Sequence, residues 1–234
     1  MVVETNRGCA SCWLAPEFWC YSLAEQRDFF MRGLLLLVRG KKRYGLHANG
    51  VVKEEAGMLV VGPSGHGKTT LTLSLVQAGW RYLGDDVAVL HATGDGIEAL
   101  ALQQGFACTP QTTHFFPQLP TAAAQQLDTV RHKRWLPLHA HQAGQLVTAC
   151  SPQVLLFPTI VDAAESRLVP LDETQTLLRL MEQSAALLIE ADTAAQQMTT
   201  LQQLGDQTRS YQLLAGRDVY MNPAAVAAQL DGLL

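Results

Sequence analysis

The sequence lacks an apolar run of the roughly 18 residues that a membrane-spanning helix needs. It also lacks a charged start followed by a long apolar stretch, since Glu4, Arg7 and Glu17 interrupt the first 20 residues, and a signal peptide is not indicated. Basic residues are not in excess, and the formal net charge of −4 argues against general binding to nucleic acid or anionic membranes. We therefore expect a soluble, cytoplasmic protein with no nucleic-acid or membrane partner.

Cysteine is sparse, with five residues, an odd number that favours free thiols over a disulfide framework. The pair Cys9 and Cys12 has the spacing of half a zinc site, but Cys20 is the only other cysteine nearby. We treat residues 1–21 as an N-terminal segment that need not be rigid. Residues 22–234 are predicted to form a single α/β domain, because no linker or repeat divides them.

What the sequence does contain is a segment that fits the pattern G-x-x-x-x-G-K-[ST] at every fixed position. It follows the apolar run Met58–Val61, a predicted strand, and precedes a predicted helix. Such a loop directs backbone N–H groups at phosphates, and the helix N-terminus adds its positive end. The predicted nucleotide-binding residues are Gly62, Pro63, Ser64, Gly65, His66, Gly67, Lys68, Thr69 and Thr70.

Two adjacent acids, Asp85 and Asp86, end the strand predicted after the loop's helix. In a parallel sheet they would lie beside the phosphates, at the carboxyl ends of the strands. Phosphorylation of a hydroxyl needs one carboxylate for Mg²⁺ and another near the proton that leaves. The alternative is a polar strand end with a metal role alone.

The sequence also predicts the secondary structure of two further regions. The dipeptide Asn49-Gly50 is a strong hairpin signal, which predicts strands at Tyr44–Ala48 and Val51–Lys53. Residues 103–145 are rich in Gln, Pro, Thr and His, and we expect loops there with a short helix near residues 122–127. Substrate specificity would reside in this region.

The spacing of these motifs resembles that of the HPr kinase/phosphorylase family. His47 lies 21 residues before Lys68, and Asp86 lies 17 residues after Thr69, as in that family and particularly in its shorter relatives from peptide-modification gene clusters. ATP-dependent phosphoenolpyruvate carboxykinase shares the active-site plan. The resemblance covers residues 44–90. It implies a P-loop kinase domain of that type, with a central mixed sheet and flanking helices.

The resemblance also implies roles for individual residues. Asp86 would be the base that accepts the hydroxyl proton, Lys68 would stabilise the transferred phosphoryl group, and His47 would lie near the γ-phosphate or a second metal ion. Thr69, with Asp85, would hold Mg²⁺. The implied function is an ATP-dependent kinase acting on Ser or Thr of a peptide or protein, and an oligomer is compatible with it. The alternatives are a kinase of a small-molecule alcohol and a non-catalytic nucleotide-binding regulator.

A basic cluster, Arg131, Lys133 and Arg134, lies within the irregular region. It would either neutralise the γ-phosphate or receive an acidic substrate, and a solvated loop is an equal alternative. The stretch Gly105–Pro120 contains no acid, whereas the full-length family carries a glutamate-bearing signature after its acid pair. The resemblance therefore does not extend to phosphorylase activity.

Overall fold

The computed structural model describes residues 1–102, 105–117, 119, 125–126, 133–137, 145–184 and 191–234. The helices are α1 (Leu23–Arg39), α2 (Lys68–Gln77), α3 (Pro110–Phe115), α4 (Glu173–Glu182), α5 (Ala191–Gln207), α6 (Asp218–Met221) and α7 (Pro223–Asp231). The strands are β1 (Val2–Glu4), β2 (Cys9–Ser11), β3 (Arg43–Leu46), β4 (Ala48–Lys53), β5 (Ala56–Val61), β6 (Arg81–Gly84), β7 (Ala88–Thr93), β8 (Gly96–Ala101), β9 (Gly105–Cys108), β10 (Gln125–Gln126), β11 (Arg134–Pro137), β12 (Ala149–Ile160), β13 (Arg167–Pro170) and β14 (Arg209–Ala215).

A nine-stranded mixed sheet forms the centre of the fold, in the order β3-β7-β8-β12-β5-β4-β6, with β13 and β14 joined to it through β12. The long strand β12 runs parallel to β5 and to β14, while its first residues pair antiparallel with β8. A smaller sheet has the order β10-β11-β9. The predicted mixed sheet with flanking helices is therefore confirmed.

The strand order brings three chain segments to one edge of the sheet. Strand β4 lies between β5 and β6 and is antiparallel to both, so β5 and β6 point the same way. The loop after β5, the acids after β6 and the start of β4 consequently meet at that edge. His47 precedes β4, which places it within reach of the other two segments.

Alternation along β5 produces a core on each face of the sheet. Met58 and Val60 pack with residues of α2 and α7, whereas Leu59 and Val61 pack with residues of α4 and α5. All four side chains are fully buried. This two-sided burial explains why β5 reads as a continuous apolar run, and it fixes the loop that follows β5 on a rigid support.

The hairpin predicted at Asn49-Gly50 is wrong. Both residues lie inside β4, and the chain reverses after Lys53, where Glu54 has a φ of 52° and leads into β5. Gly50 belongs in a strand here because a Cβ at this position would lie 2.5 Å from Cδ2 of Leu83 on the neighbouring strand. Close packing, and not a tight turn, requires that glycine.

The irregular region contains more regular structure than its composition indicates, since β9, α3 and β11 all fall in it. The helix predicted near residues 122–127 is wrong at Gln125 and Gln126, which form β10, and the rest of it lies outside the described residues. A capping box formed by Ser22 and Glu25 begins α1. Strands β1 and β2 pair with each other and contact α1, while the boundary after residue 21 stays a prediction.

Within the described residues, no helix combines the length and apolarity that crossing a membrane would take.

Candidate active site

The loop between β5 and α2 forms one wall of a cleft of about 290 Å³. Gly65 and Gly67 have φ values of 91° and 88°, a region that glycine enters without strain, and α2 begins at Lys68. This conformation turns the chain so that the helix N-terminus faces the cleft, where an anion is favoured. The loop residues that line the cleft are Ser64, Gly65, Gly67, Lys68, Thr69 and Thr70.

Lys68 is the buried cation of this cleft, with 6% of its surface exposed. Its ammonium donates to the carbonyl oxygens of Gly62 at 2.6 Å and Pro63 at 3.2 Å, and lies 3.1 Å from Nε2 of His47. Burial lowers the pKa of Lys68 from its usual 10.5 to about 8, although the charges of Asp86 and Asp85 oppose this. Oxygen atoms of phosphates could replace the two loop carbonyls as acceptors.

Asp85 is fully enclosed beneath the loop, with 1% of its surface exposed. Its Oδ1 accepts from the Thr69 hydroxyl at 3.1 Å and from the side-chain amide of Asn49 at 2.5 Å, and its Oδ2 accepts from the backbone N–H of Ala107 at 2.9 Å. Burial, followed by the charge of Asp86, raises the pKa of Asp85 to about 6. This carboxylate holds the loop, β4 and β9 together.

Asp86 faces the cleft and is the accessible member of the acid pair. Its φ of 73° is unusual for a non-glycine residue, although Asp and Asn tolerate it best. Its Oδ1 lies 3.4 Å from Nε2 of His47, and its Oδ2 accepts from Nη2 of Arg27 at 3.0 Å. The hydrogen bond from His47, together with the charges of Lys133 and Arg27, holds the pKa of Asp86 well below its usual range.

His47 connects the cation to the accessible acid. Its Nε2 lies between Lys68 and Asp86, and its Nδ1 lies 3.2 Å from Oε1 of Gln183. A neutral ring with the proton on Nδ1 donates to Gln183 and accepts from Lys68, whereas the imidazolium form donates to Gln183 and Asp86. The backbone N–H of His47 also donates to the Gln183 carbonyl at 2.9 Å, which fixes the ring's position.

Of the remaining predicted site residues, some line the cleft and others do not. Lys133 lines the cleft with Lys68 and Asp86, whereas Arg134 is exposed on β11 and does not line it. Arg131 lies outside the described residues. Within the loop, His66 does not line the cleft, and its Nδ1 lies 3.3 Å from the carbonyl oxygen of Pro158. The basic cluster therefore does not act as one surface in the described part of the chain.

Two residues of the site, Asn49 and Arg27, are not indicated by any local sequence pattern. Asn49 is fully buried, and its side chain joins the two acids by donating to Asp85 and accepting from the backbone N–H of Asp86 at 3.1 Å. Arg27 reaches Asp86 from α1, with its guanidinium 5.3 Å from the ring centroid of Trp135. The glycine that follows Asn49 in the sequence is typical of a turn, and Arg27 is distant from Asp86 along the chain.

No protein-family model matches this sequence, and no curated protein matches it either. Among solved structures, the chain is similar to the Hpr(Ser) kinase/phosphatase from Coxiella burnetii, with a TM-score of 0.40 and 13% sequence identity. The similarity covers 80% of this chain and 88% of that chain.

The oxygen ligands near the loop fit Mg²⁺. Magnesium takes one or two protein oxygens, with water and phosphate oxygens completing its octahedral shell. The Thr69 hydroxyl lines the cleft and donates its proton to the enclosed Asp85 carboxylate, so the Thr69 oxygen can serve as one such ligand while Asp85 orients it. Among the described residues, no cluster of three or more His, Cys, Asp or Glu side chains forms a metal cage, and Cys9 instead donates to Glu4.

Proposed function

We propose that this protein is a kinase that transfers the γ-phosphoryl group of Mg·ATP to a hydroxyl, that of Ser or Thr in a peptide or protein. The observation that supports this is the convergence of Lys68, His47 and Asp86 at the mouth of the loop, linked by contacts of 3.1 and 3.4 Å. A phosphate-binding loop alone would need only the lysine. A carboxylate held opposite that lysine is what hydroxyl activation adds.

The reaction assigns a task to each group. The acceptor oxygen attacks the γ-phosphorus, the bond to the β-phosphate oxygen breaks, ADP leaves, and the hydroxyl proton passes to Asp86. Lys68 and the N–H groups of the loop stabilise the charge on the transferred group, as phosphoryl transfer requires. Mg²⁺, held from the Thr69 side, would neutralise the β- and γ-phosphates. Lys133 lines the same cleft and adds positive charge near Asp86.

Asp86 suits the base role better than Asp85 because of access. Asp85 has a pKa closer to neutrality, about 6, but it is enclosed and both of its oxygens accept hydrogen bonds from the fold. Asp86 opens onto the cleft, so an acceptor hydroxyl can reach it. Asp85 is placed instead to orient Thr69, which would hold the metal.

One observation favours a second candidate, a nucleotide-binding regulator without turnover. Both oxygens of Asp86 are already occupied, one by His47 and one by Arg27. A carboxylate paired in this way is a weak base, and an acceptor hydroxyl would have to displace one of these partners. Turnover therefore decides between the two candidates.

The test is phosphoryl transfer from γ-labelled Mg·ATP to a degenerate peptide array with Ser, Thr or Tyr at its centre, and to a panel of small alcohols. Asp86→Asn should lower turnover by roughly 10²–10⁴ with little change in nucleotide affinity, since the amide keeps the shape and tolerates the positive φ. Asp85→Asn should mainly raise the Mg²⁺ requirement. The exposed Asp95→Asn is the matched control, with unchanged kinetics expected.

Nucleotide binding with no labelled acceptor and no ADP formed would overturn the kinase in favour of the regulator. Labelling of small alcohols alone would move the acceptor class from peptides to metabolites. If Asp85→Asn caused the loss of turnover and Asp86→Asn raised the Mg²⁺ requirement, the two roles would be reversed.

A further inference from the structure

The cleft continues past the loop to a stacked pair of aromatic rings. Phe115, the last residue of α3, and Tyr220, in α6, both line it, with ring centroids 3.8 Å apart and planes 5° from parallel. The other ring contacts among the described residues are edge-on or tilted. Because the planes of these two rings are nearly parallel and both rings line the cleft, they present a flat aromatic surface at its edge.

This pair flanks the helix whose N-terminus faces the loop. The Thr70 hydroxyl lies 3.5 Å from that of Thr112 on α3, and the Ser74 hydroxyl donates to the carbonyl oxygen of Val219 on α6. Thr70 and Ser74 are one turn apart, about 6 Å along the helix. A nucleotide with its phosphates on the loop would thus extend its base alongside the first turns of α2, toward the two rings.

A polar side chain accompanies the rings. Gln111 lies one turn before Phe115 on α3, so both project from the same face of that helix, and Gln111 also lines the cleft. Its amide makes no hydrogen bond to any residue that the structure describes. A glutamine amide offers one donor and one acceptor, which matches N7 and the N6 amino group of adenine. Guanine presents two acceptors, O6 and N7, at the same edge.

We propose that Phe115 and Tyr220 form the base-binding platform of the nucleotide site and that Gln111 reads the exposed edge of adenine, so that the protein prefers ATP to GTP. This proposal rests on the proposed function, because it takes the loop as the site of the phosphates. The base stacks on the outer face of the aromatic pair, since rings 3.8 Å apart leave no room between them. Gln111 donates to N7 and accepts from the N6 amino group.

The experiment compares the affinities of Mg·ATP, Mg·GTP and magnesium tripolyphosphate, which has no base, by calorimetry. Tyr220→Leu should weaken ATP binding about 10-fold and leave tripolyphosphate binding unchanged, given the usual strength of base–aromatic stacking. Gln111→Met should reduce the preference for ATP over GTP, again with tripolyphosphate unaffected. Met221→Ala, at an exposed position of α6 that does not line the cleft, is the matched control.

The tripolyphosphate measurement separates the two proposals. If the wild-type protein binds tripolyphosphate as tightly as ATP, the base platform is refuted while the phosphate site stands. If it binds neither, the phosphate site itself fails. Equal weakening of ATP and tripolyphosphate by Tyr220→Leu, with an unchanged melting temperature, would also refute the platform. Phe115→Leu provides a second variant should Tyr220→Leu fold poorly.

Discussion

Replacing Lys68 with methionine is expected to abolish phosphoryl transfer and, at neutral pH, to make the fold more stable. The variant removes the charge that would bridge the β- and γ-phosphates. It also removes a cation that the fold buries, and methionine fills a similar volume without needing solvation. Function and stability therefore make opposite demands at this position, as at many active-site residues.

The magnitude follows from the pKa. A lysine whose pKa falls from 10.5 to about 8 on folding costs roughly 3 kcal/mol at pH 7. Lys68 recovers part of this through its hydrogen bonds to Gly62 and Pro63, about 1 kcal/mol each. The expected net gain for Lys68→Met at pH 7 is thus about 1 kcal/mol in the free energy of unfolding.

The pH dependence gives a sharper signature. Between pH 8 and 10.5 the unfolded lysine binds more protons than the folded one, so the wild-type stability rises with pH relative to the variant. The difference between them should change by about 2 kcal/mol from pH 7 to 9.5, and the order of stability should reverse near pH 9. Titrating groups that do not interact with Lys68 are common to both proteins and cancel, and the two acids that do interact with it, Asp85 and Asp86, have pKa values below this pH window.

Urea denaturation of both proteins at several pH values, with a chelator and without nucleotide, measures this difference. Lys41→Met, at an exposed position, is the matched control and should show a difference near zero at every pH. A Lys68→Met difference that stays constant with pH would refute the reasoning, because it would mean that Lys68 folds without a lowered pKa.

Three further outcomes are expected. Arg27→Gln should shift the acidic limb of the pH–rate profile to higher pH, because the Arg27 charge helps to lower the pKa of Asp86; an unmoved limb would mean that the pair is not formed during turnover. Asn49→Leu should lower the free energy of unfolding by about 2 kcal/mol, the scale of a hydrogen bond to a charged group such as Asp85, and a urea midpoint equal to the wild type would contradict the contact. Gly67→Ala should weaken Mg·ATP binding and cost about 1–2 kcal/mol of stability, because an alanine at a φ of 88° is strained, and calorimetry with a melting curve checks both effects.

Sequence patterns predicted those parts of the site that local rules control. The loop, its strand and its helix follow one another along the chain, and the acid pair that ends the next strand was expected at the same edge of the sheet, where Thr69 now donates to Asp85. The same rules failed at Asn49, because a dipeptide typical of turns also fits a strand packed closely against its neighbour. They could not find Arg27, since its pairing with Asp86 depends on how α1 packs across the sheet.

The contrast between Asp85 and Asp86 shows why tertiary structure, and not residue type, sets the chemistry of adjacent acids. At the end of a strand, successive side chains point to opposite sides, so one carboxylate enters the interior while the other opens onto the cleft. The positive φ of Asp86 turns the backbone there, and Asn49 fixes that turn by accepting from the Asp86 N–H while donating to Asp85. A single buried amide thus holds the acids in different environments, with one pKa raised by burial and the other lowered by its partners. Exchanging their roles would require a different turn as well as different neighbours.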